Sequence, residues 1–163
     1  MSSLYTGRRH PLTVAVSGLS SDAHTWNLVY MQLLIEELGH TVTNLGACLP
    51  EAELAARCRT IQPDLIVLSS VNGHGSQDGV RAIAALRECP ELMTTPTVIG
   101  GKLDTVGGDP TLTGQLLDAG FDAVFIEADA LSAFRSFVAF LCDATVEAGD
   151  GINGSTVTSP VGA

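Results

Sequence analysis

The chain has 163 residues, 18 acidic side chains against 8 basic ones, and a net charge of −10. Its few Lys and Arg are scattered, which excludes the clustered basic face that nucleic acid or an anionic membrane would need, and no stretch approaches the ~18–20 apolar residues of a membrane span. The length fits one domain, and the 45% hydrophobic content is enough for a sheet covered on both faces.

The first eleven residues read as an N-terminal arm; two arginines with no apolar stretch behind them give no signal peptide, so a cytoplasmic location is expected. LTVAVSG (12–18) is a first strand. The loop LSSDAHTWN runs from it into an amphipathic helix over 26–38, closed by Gly39. TVTNLGA (41–47) is a second strand, and Pro50 opens a second helix in its favoured first-turn position. DLIVLSS (64–70) has the continuous apolar character of a buried strand. The Gly-rich stretch VNGHGSQDG reads as a loop before a helix over 79–88, which breaks at Cys89-Pro90. TPTVIGG (95–101) is a fourth strand, followed by a loop, a helix over 110–119 and a fifth strand over 121–127. A last helix spans roughly 129–145, and the polar, Gly/Ser/Thr-rich end over 146–163 is expected to be a disordered tail.

Strands and helices that alternate with short links imply an α/β fold: a single flavodoxin-like, doubly wound domain over 12–145. Its five-stranded parallel sheet is expected in the order 2-1-3-4-5. In such sheets ligands bind beyond the carboxyl ends of the strands. The loops there are SSDAHTWN, SSVNGHG and GGKLDTVGG, rich in small residues that let a backbone approach a large flat ligand. Neither G-x-G-x-x-G nor G-x-x-x-x-G-K-[ST] occurs, so a simple nucleotide site is disfavoured. The four cysteines show no C-x-x-C spacing and read as small buried hydrophobes in a reducing compartment, with Cys48 set apart by its place at a strand end. On their own, Asp22 and His24 fit either a metal ligand backed by a carboxylate or a loop whose carboxylate caps a helix.

Taken in order, SDAH (21–24), LG (38–39), NLG (44–46), PDLIVLSS (63–70), G-x-G (73–75) and IGG (99–101) resemble the cobalamin-binding D-x-H-x-x-G domain family. Within it they are most similar to the small subunits of methylaspartate (glutamate) mutases. The resemblance covers roughly residues 12–142. It implies that His24 is the lower axial ligand of cobalt and that Asp22 bonds its other ring nitrogen. Ser21, Ala23 and Thr25 would flank a slot between the sheet and the first helix that takes the displaced nucleotide tail. Ser69, Ser70 and Val71 would line that slot, with the Ser69 hydroxyl placed for a polar contact. Asn72 and Gly73 would lie near the corrin. Gly100 and Gly101 would leave room for the tail, along which Lys102, Leu103, Asp104, Thr105 and Val106 would continue. Two departures stand out: Asn27 replaces the glycine that closes D-x-H-x-x-G, and Val71 replaces the leucine of S-x-L. Asn27 puts a side chain where the family leaves space.

The resemblance further implies adenosylcobalamin as cofactor and a hetero-oligomer with a large catalytic mutase subunit. That partner, a (β/α)₈ barrel, would hold the amino-acid substrate, so no catalytic residue is expected in this chain. The alternatives are a stand-alone corrinoid-binding module, either a methyl-transfer carrier or a sensor, and a degenerate homologue that no longer binds cobalamin. The short arm counts against a carrier, which usually bears a helical cap ahead of the domain. Asn27 is the residue that favours the degenerate reading.

Overall fold

A computed structural model describes residues 10–105, 109–126 and 128–150, the last five of these for their backbone only. In chain order the elements are β1 (Thr13–Ser17), α1 (Trp26–Glu37), β2 (Thr41–Gly46), α2 (Glu51–Ile61), β3 (Leu65–Ser70) and α3 (Gly75–Arg87). A 3₁₀ turn (Pro90–Leu92), β4 (Thr97–Gly101), α4 (Leu112–Ala119), β5 (Ala123–Phe125) and α5 (Ala130–Asp150) follow. The sheet is parallel throughout and ordered β2-β1-β3-β4-β5, as expected for a flavodoxin-like fold.

The period-2 alternation of each strand divides the core in two. Ala15, Ile66, Leu68 and Ile99 face α2, α3 and α4, where Leu54, Cys58, Ile83, Leu86 and Leu116 meet them. Val14, Val16, Leu65, Val67 and Val98 face α1 and α5, against Leu28, Ile35, Phe134, Val138 and Cys142. The three inner strands, β1, β3 and β4, are thus buried on both sides, which is why they read as apolar runs.

Several boundaries differ from expectation: β5 is Ala123–Phe125 within the expected 121–127, and α4 begins at Leu112 rather than 110. Pro50 is the residue before α2 rather than inside it, with extended backbone at φ −61° and ψ 149°. α5 continues to Asp150, past the expected end at 145. α3 begins at Gly75, four residues ahead of the expected 79, so half of the Gly-rich loop is helix. The glycines are there for close packing. A Cβ on Gly75 would lie 2.6 Å from Leu103 Cδ2, and one on Gly79 would lie 2.7 Å from Ile99 Cδ1. The cysteines divide: Cys58 and Cys142 are buried, Cys89 is half-buried and Cys48 is exposed, all four free. Burial pushes the Cys58 thiol up to about 11, which makes it an inert core residue. No helix among the described residues is long and apolar enough to cross a membrane. The expected arm up to residue 9, Val106, and the tail from 151 lie outside the described residues.

Candidate functional site

The β1–α1 loop is held against the ends of β2 and β3 by its own backbone. Gly18 N–H donates to Gly46 O at 3.0 Å, and Cys48 N–H donates to Asp22 O at 3.0 Å. Asp22 is thereby turned inward and is 1% exposed. Its Oδ1 accepts the His24 backbone N–H at 3.0 Å and meets His24 Nδ1 at 2.6 Å. Its Oδ2 accepts the Ser70 hydroxyl at 2.8 Å and the Val71 backbone N–H at 2.7 Å. Burial pushes this carboxyl up, but the donors from His24, Val71 and Ser70 outweigh it and hold the pKa down at about 2. Asp22 is therefore ionised and can only accept, so His24 Nδ1 must carry a proton. The lone pair of the ring then sits on Nε2, on a side chain that is 50% exposed. A half-exposed imidazole held in this tautomer can serve as a ligand for a transition metal.

A second set of bonds steadies the same loop from α2 and α3. Asp78, in the first turn of α3 and 4% exposed, accepts the Ser21 hydroxyl and, at 3.2 Å, the Ser21 N–H. Asn72 Nδ2 donates to Ser21 O at 3.0 Å, and Asn72 Oδ1 accepts the His74 N–H at 2.9 Å. Arg81 pairs with Asp78 and reaches Glu51 at 3.2 Å, while Ser20 donates to Glu51 at 3.1 Å. Asp78 lies 57 positions from Ser21, and nothing in the sequence marked it.

Beside this rim, on the α1 and α5 side of the sheet, lies a cavity of about 280 Å³. Strand alternation selects its floor: Val67, Ser69, Val98 and Gly100 share the face turned toward α1 and α5. Trp26, Asn27, Tyr30 and Met31 of α1 form one wall, and Phe125, Leu131 and Phe134 lie on the β5–α5 side. Phe134 meets Phe125 edge-on at 5.5 Å. Asn27 and Ser69 are the two buried polar side chains lining this space, 5% and 7% exposed. Asn27 Nδ2 donates to Ser69 Oγ at 2.9 Å, whereas Asn27 Oδ1 is buried with no hydrogen-bond partner among the described residues.

The expected site residues fall into three groups. Ser21, Asp22, His24, Ser70 and Asn72 are joined in the rim, with Ala23 and Thr25 exposed on the same loop. Asn27, Ser69, Val71, Gly100 and Gly101 line the cavity. Lys102 to Thr105 do not line it. Lys102 is exposed, and the Leu103 side chain is 1% exposed within the core on the opposite face. Asp104 and Thr105 pack around Gly73, where a Cβ would lie 2.9 Å from Thr105 Cγ2. Gly100 and Gly101 also have a cause within the sheet: a Cβ would lie 2.9 Å from Phe125 O at the first and 2.1 Å from Ser70 O at the second. The cavity residues that sequence reasoning missed, Tyr30, Met31, Val67, Val98, Phe125, Leu131 and Phe134, are apolar and look like core in a one-dimensional pattern.

Comparison with known proteins agrees with this geometry. A family profile described as the B12 binding domain matches residues 12–135. The glutamate mutase sigma subunit of Halobacterium salinarum is 32% identical over 116 residues, covering 69% of this chain and 75% of that protein. The HTH-type transcriptional repressor CarA of Myxococcus xanthus is 32% identical over 83 residues, half of this chain and 28% of its own length. Among solved structures, a cobalamin-binding protein from Desulfitobacterium hafniense superposes with a TM-score of 0.63 at 16% identity. That match covers 80% of this chain and 59% of the other, and it bears on the fold alone.

Proposed function

The chain belongs to the B12-binding domain family, and on that premise we propose that it is the cobalamin-binding small subunit of an adenosylcobalamin-dependent carbon-skeleton mutase. The activity proposed is that of methylaspartate (glutamate) mutase, interconverting L-glutamate and threo-3-methylaspartate in the cytoplasm. The observation that carries the reading is the Asp22–His24 pair at 2.6 Å, its imidazole half-exposed on the loop that leads into α1, a wall of the apolar slot. The residues present fit a corrinoid: the His24 imidazole would ligate cobalt, and a slot of about 280 Å³ would take a flat heteroaromatic tail.

The cofactor, when bound, supplies the radical chemistry. The residues of this chain supply position. Asp22 holds the proton at His24 Nδ1 and so keeps Nε2 as the donor. Ser70, Val71 N–H and Cys48 N–H hold Asp22 in turn. Apolar walls from α1, β5 and α5 would keep water from a bound tail. The substrate would be held by a large catalytic subunit, proposed to be a (β/α)₈ barrel, a reading supported by the similarity to a glutamate mutase sigma subunit.

Wild-type and His24→Ala protein, each loaded with cobalamin and reduced to cobalt(II), are compared by EPR. Superhyperfine splitting from a protein nitrogen in the wild type, absent in His24→Ala, supports His24 ligation. Uptake with a spectrum identical in both sinks it. The similarity to CarA over half the chain favours a second reading, a cobalamin-linked sensor. That reading predicts cofactor uptake with no methylaspartate formed from glutamate when a large mutase subunit is added.

A further inference from the structure

Asn27 is a residue of the slot whose chemistry the reading above does not use. It stands where the family motif has glycine, and it fills space at the slot with an amide that is only half used. A buried carbonyl oxygen without a partner is costly, and native proteins rarely keep one without a reason. Alanine or glycine at this position would remove the cost, so packing gives no account of it.

The bonding at Ser69 sharpens the point. A serine hydroxyl has one proton to give and two lone pairs. Asn27 Nδ2 occupies a lone pair of Ser69 Oγ at 2.9 Å, which leaves the hydroxyl proton to donate. Side by side at the slot there are then one unused donor, Ser69 O–H, and one unused acceptor, Asn27 Oδ1. Turning the amide over exchanges the two roles and keeps the edge bifunctional. The remaining buried walls are apolar and read nothing but shape.

We propose that Asn27 and Ser69 form a reading edge that selects the base of the bound corrinoid. The edge favours a base that sets a ring-nitrogen acceptor beside an amino donor, as an aminopurine does, over dimethylbenzimidazole, which offers a ring nitrogen and an apolar dimethyl edge. The inference rests on the cobalamin reading above and adds which member of the corrinoid class the chain takes. Asn27 is then a specificity residue rather than a mark of decay, because a site built to hydrogen-bond discriminates against the ligand that leaves its polar groups unpaired.

Trp26 is the one tryptophan of the chain and lines the slot, so quenching of its fluorescence reports occupancy. The protein is titrated with three probes: hydroxocobalamin, its adenine-base analogue, and base-free cobinamide. The wild type is expected to bind the adenine analogue about tenfold more tightly than hydroxocobalamin, the equivalent of about 1.4 kcal/mol. Asn27→Gly is expected to abolish or invert that ratio. Ser69→Ala, which keeps the helix and strand unchanged, is expected to reduce it toward one. Equal affinities in the wild type overturn the inference, as does a ratio that neither variant changes. A ribose hydroxyl meeting Asn27 Oδ1 would give that equality. Cobinamide binding as tightly as both base-bearing forms overturns it too, since the slot would then be unused. Binding of none of the three removes the cobalamin reading itself, and this one with it.

Discussion

Asp22 and Asn27 lie on the same loop and first helical turn, both almost fully buried, and their polar atoms meet opposite fates. Each carboxylate oxygen of Asp22 takes two donors, one pair from His24 and one from Ser70 and Val71. Asn27 makes one bond, to Ser69, and leaves an oxygen unpaired. The rim is closed on itself and fixes a geometry; the slot is left open by one amide edge and waits for chemistry from outside. A buried network with every member satisfied rigidifies, whereas a half-satisfied one costs stability unless a ligand completes it. The two sorts of residue are told apart by hydrogen-bond accounting, not by burial.

The largest effect should come from breaking the floor that rim and slot share. Gly101 carries β4 past β3 at φ +112°, and a Cβ there would lie 2.1 Å from Ser70 O, a backbone atom that cannot turn aside. Gly101→Ala therefore has to push β4 off β3 between the Ser69 side and the Ser70 side. Loss of about 3 kcal/mol or more is expected in urea denaturation, or no folded protein at all. A variant as stable as the wild type would mean that the two halves of the site do not depend on this contact.

Asp22→Asn tests the closed half alone. An amide cannot accept four donors, so one of its N–H groups must face Val71 N–H, Ser70 or the His24 N–H, at a cost of about 2 kcal/mol. The pH dependence gives an independent check. The folded pKa of about 2 lies below the model-peptide value of 3.8, so Asp22 contributes stability above about pH 4. That contribution, about 2 kcal/mol, is lost as pH falls from about 4 through about 2, and the loss should be missing from the variant. Acid unfolding curves of equal steepness in wild type and Asp22→Asn would show that the rim does not depend on the charge.

How much of this was legible in sequence follows from what each residue is asked to do. The inner strands are buried on both faces, so their apolar runs could be read directly, and Asp22 and His24 are close enough in sequence to register as a pair. Gly75 and Gly79 misled, because a glycine needed for helix–sheet contact looks the same in one dimension as a glycine in a loop. The slot walls on α1 and at the start of α5 stayed hidden for the opposite reason: Tyr30, Met31 and Phe134 are apolar whether they meet a ligand or a neighbour. Asp78 needed the fold itself, since only the juxtaposition of α3 with the β1–α1 loop gives it Ser21 as a partner. Asn27 was visible as a departure from the motif, but not its unpaired oxygen.

The smallest effect belongs to the open half, and its smallness is the informative part. Ser69→Ala alone should cost the empty protein about 1 to 2 kcal/mol, because it strips Asn27 of its one bond and leaves two buried polar groups unpaired. Asn27→Ala with Ser69→Ala removes both partners and the unpaired oxygen together. An apolar pair in place of a half-satisfied one should come out within about 1 kcal/mol of the wild type, helped slightly by the helix preference of alanine at position 27. The double variant would then be more stable than Ser69→Ala alone, a coupling that a double-mutant cycle in urea reads directly. A double variant that loses several kcal/mol, more than Ser69→Ala alone, would make Asn27 and Ser69 a structural pair that folding needs, of the same kind as Asp22 and Ser70. Near-neutrality in the double variant would mean that folding does not need them, and that the reason for keeping a buried, unpaired oxygen in the slot lies in what the slot binds.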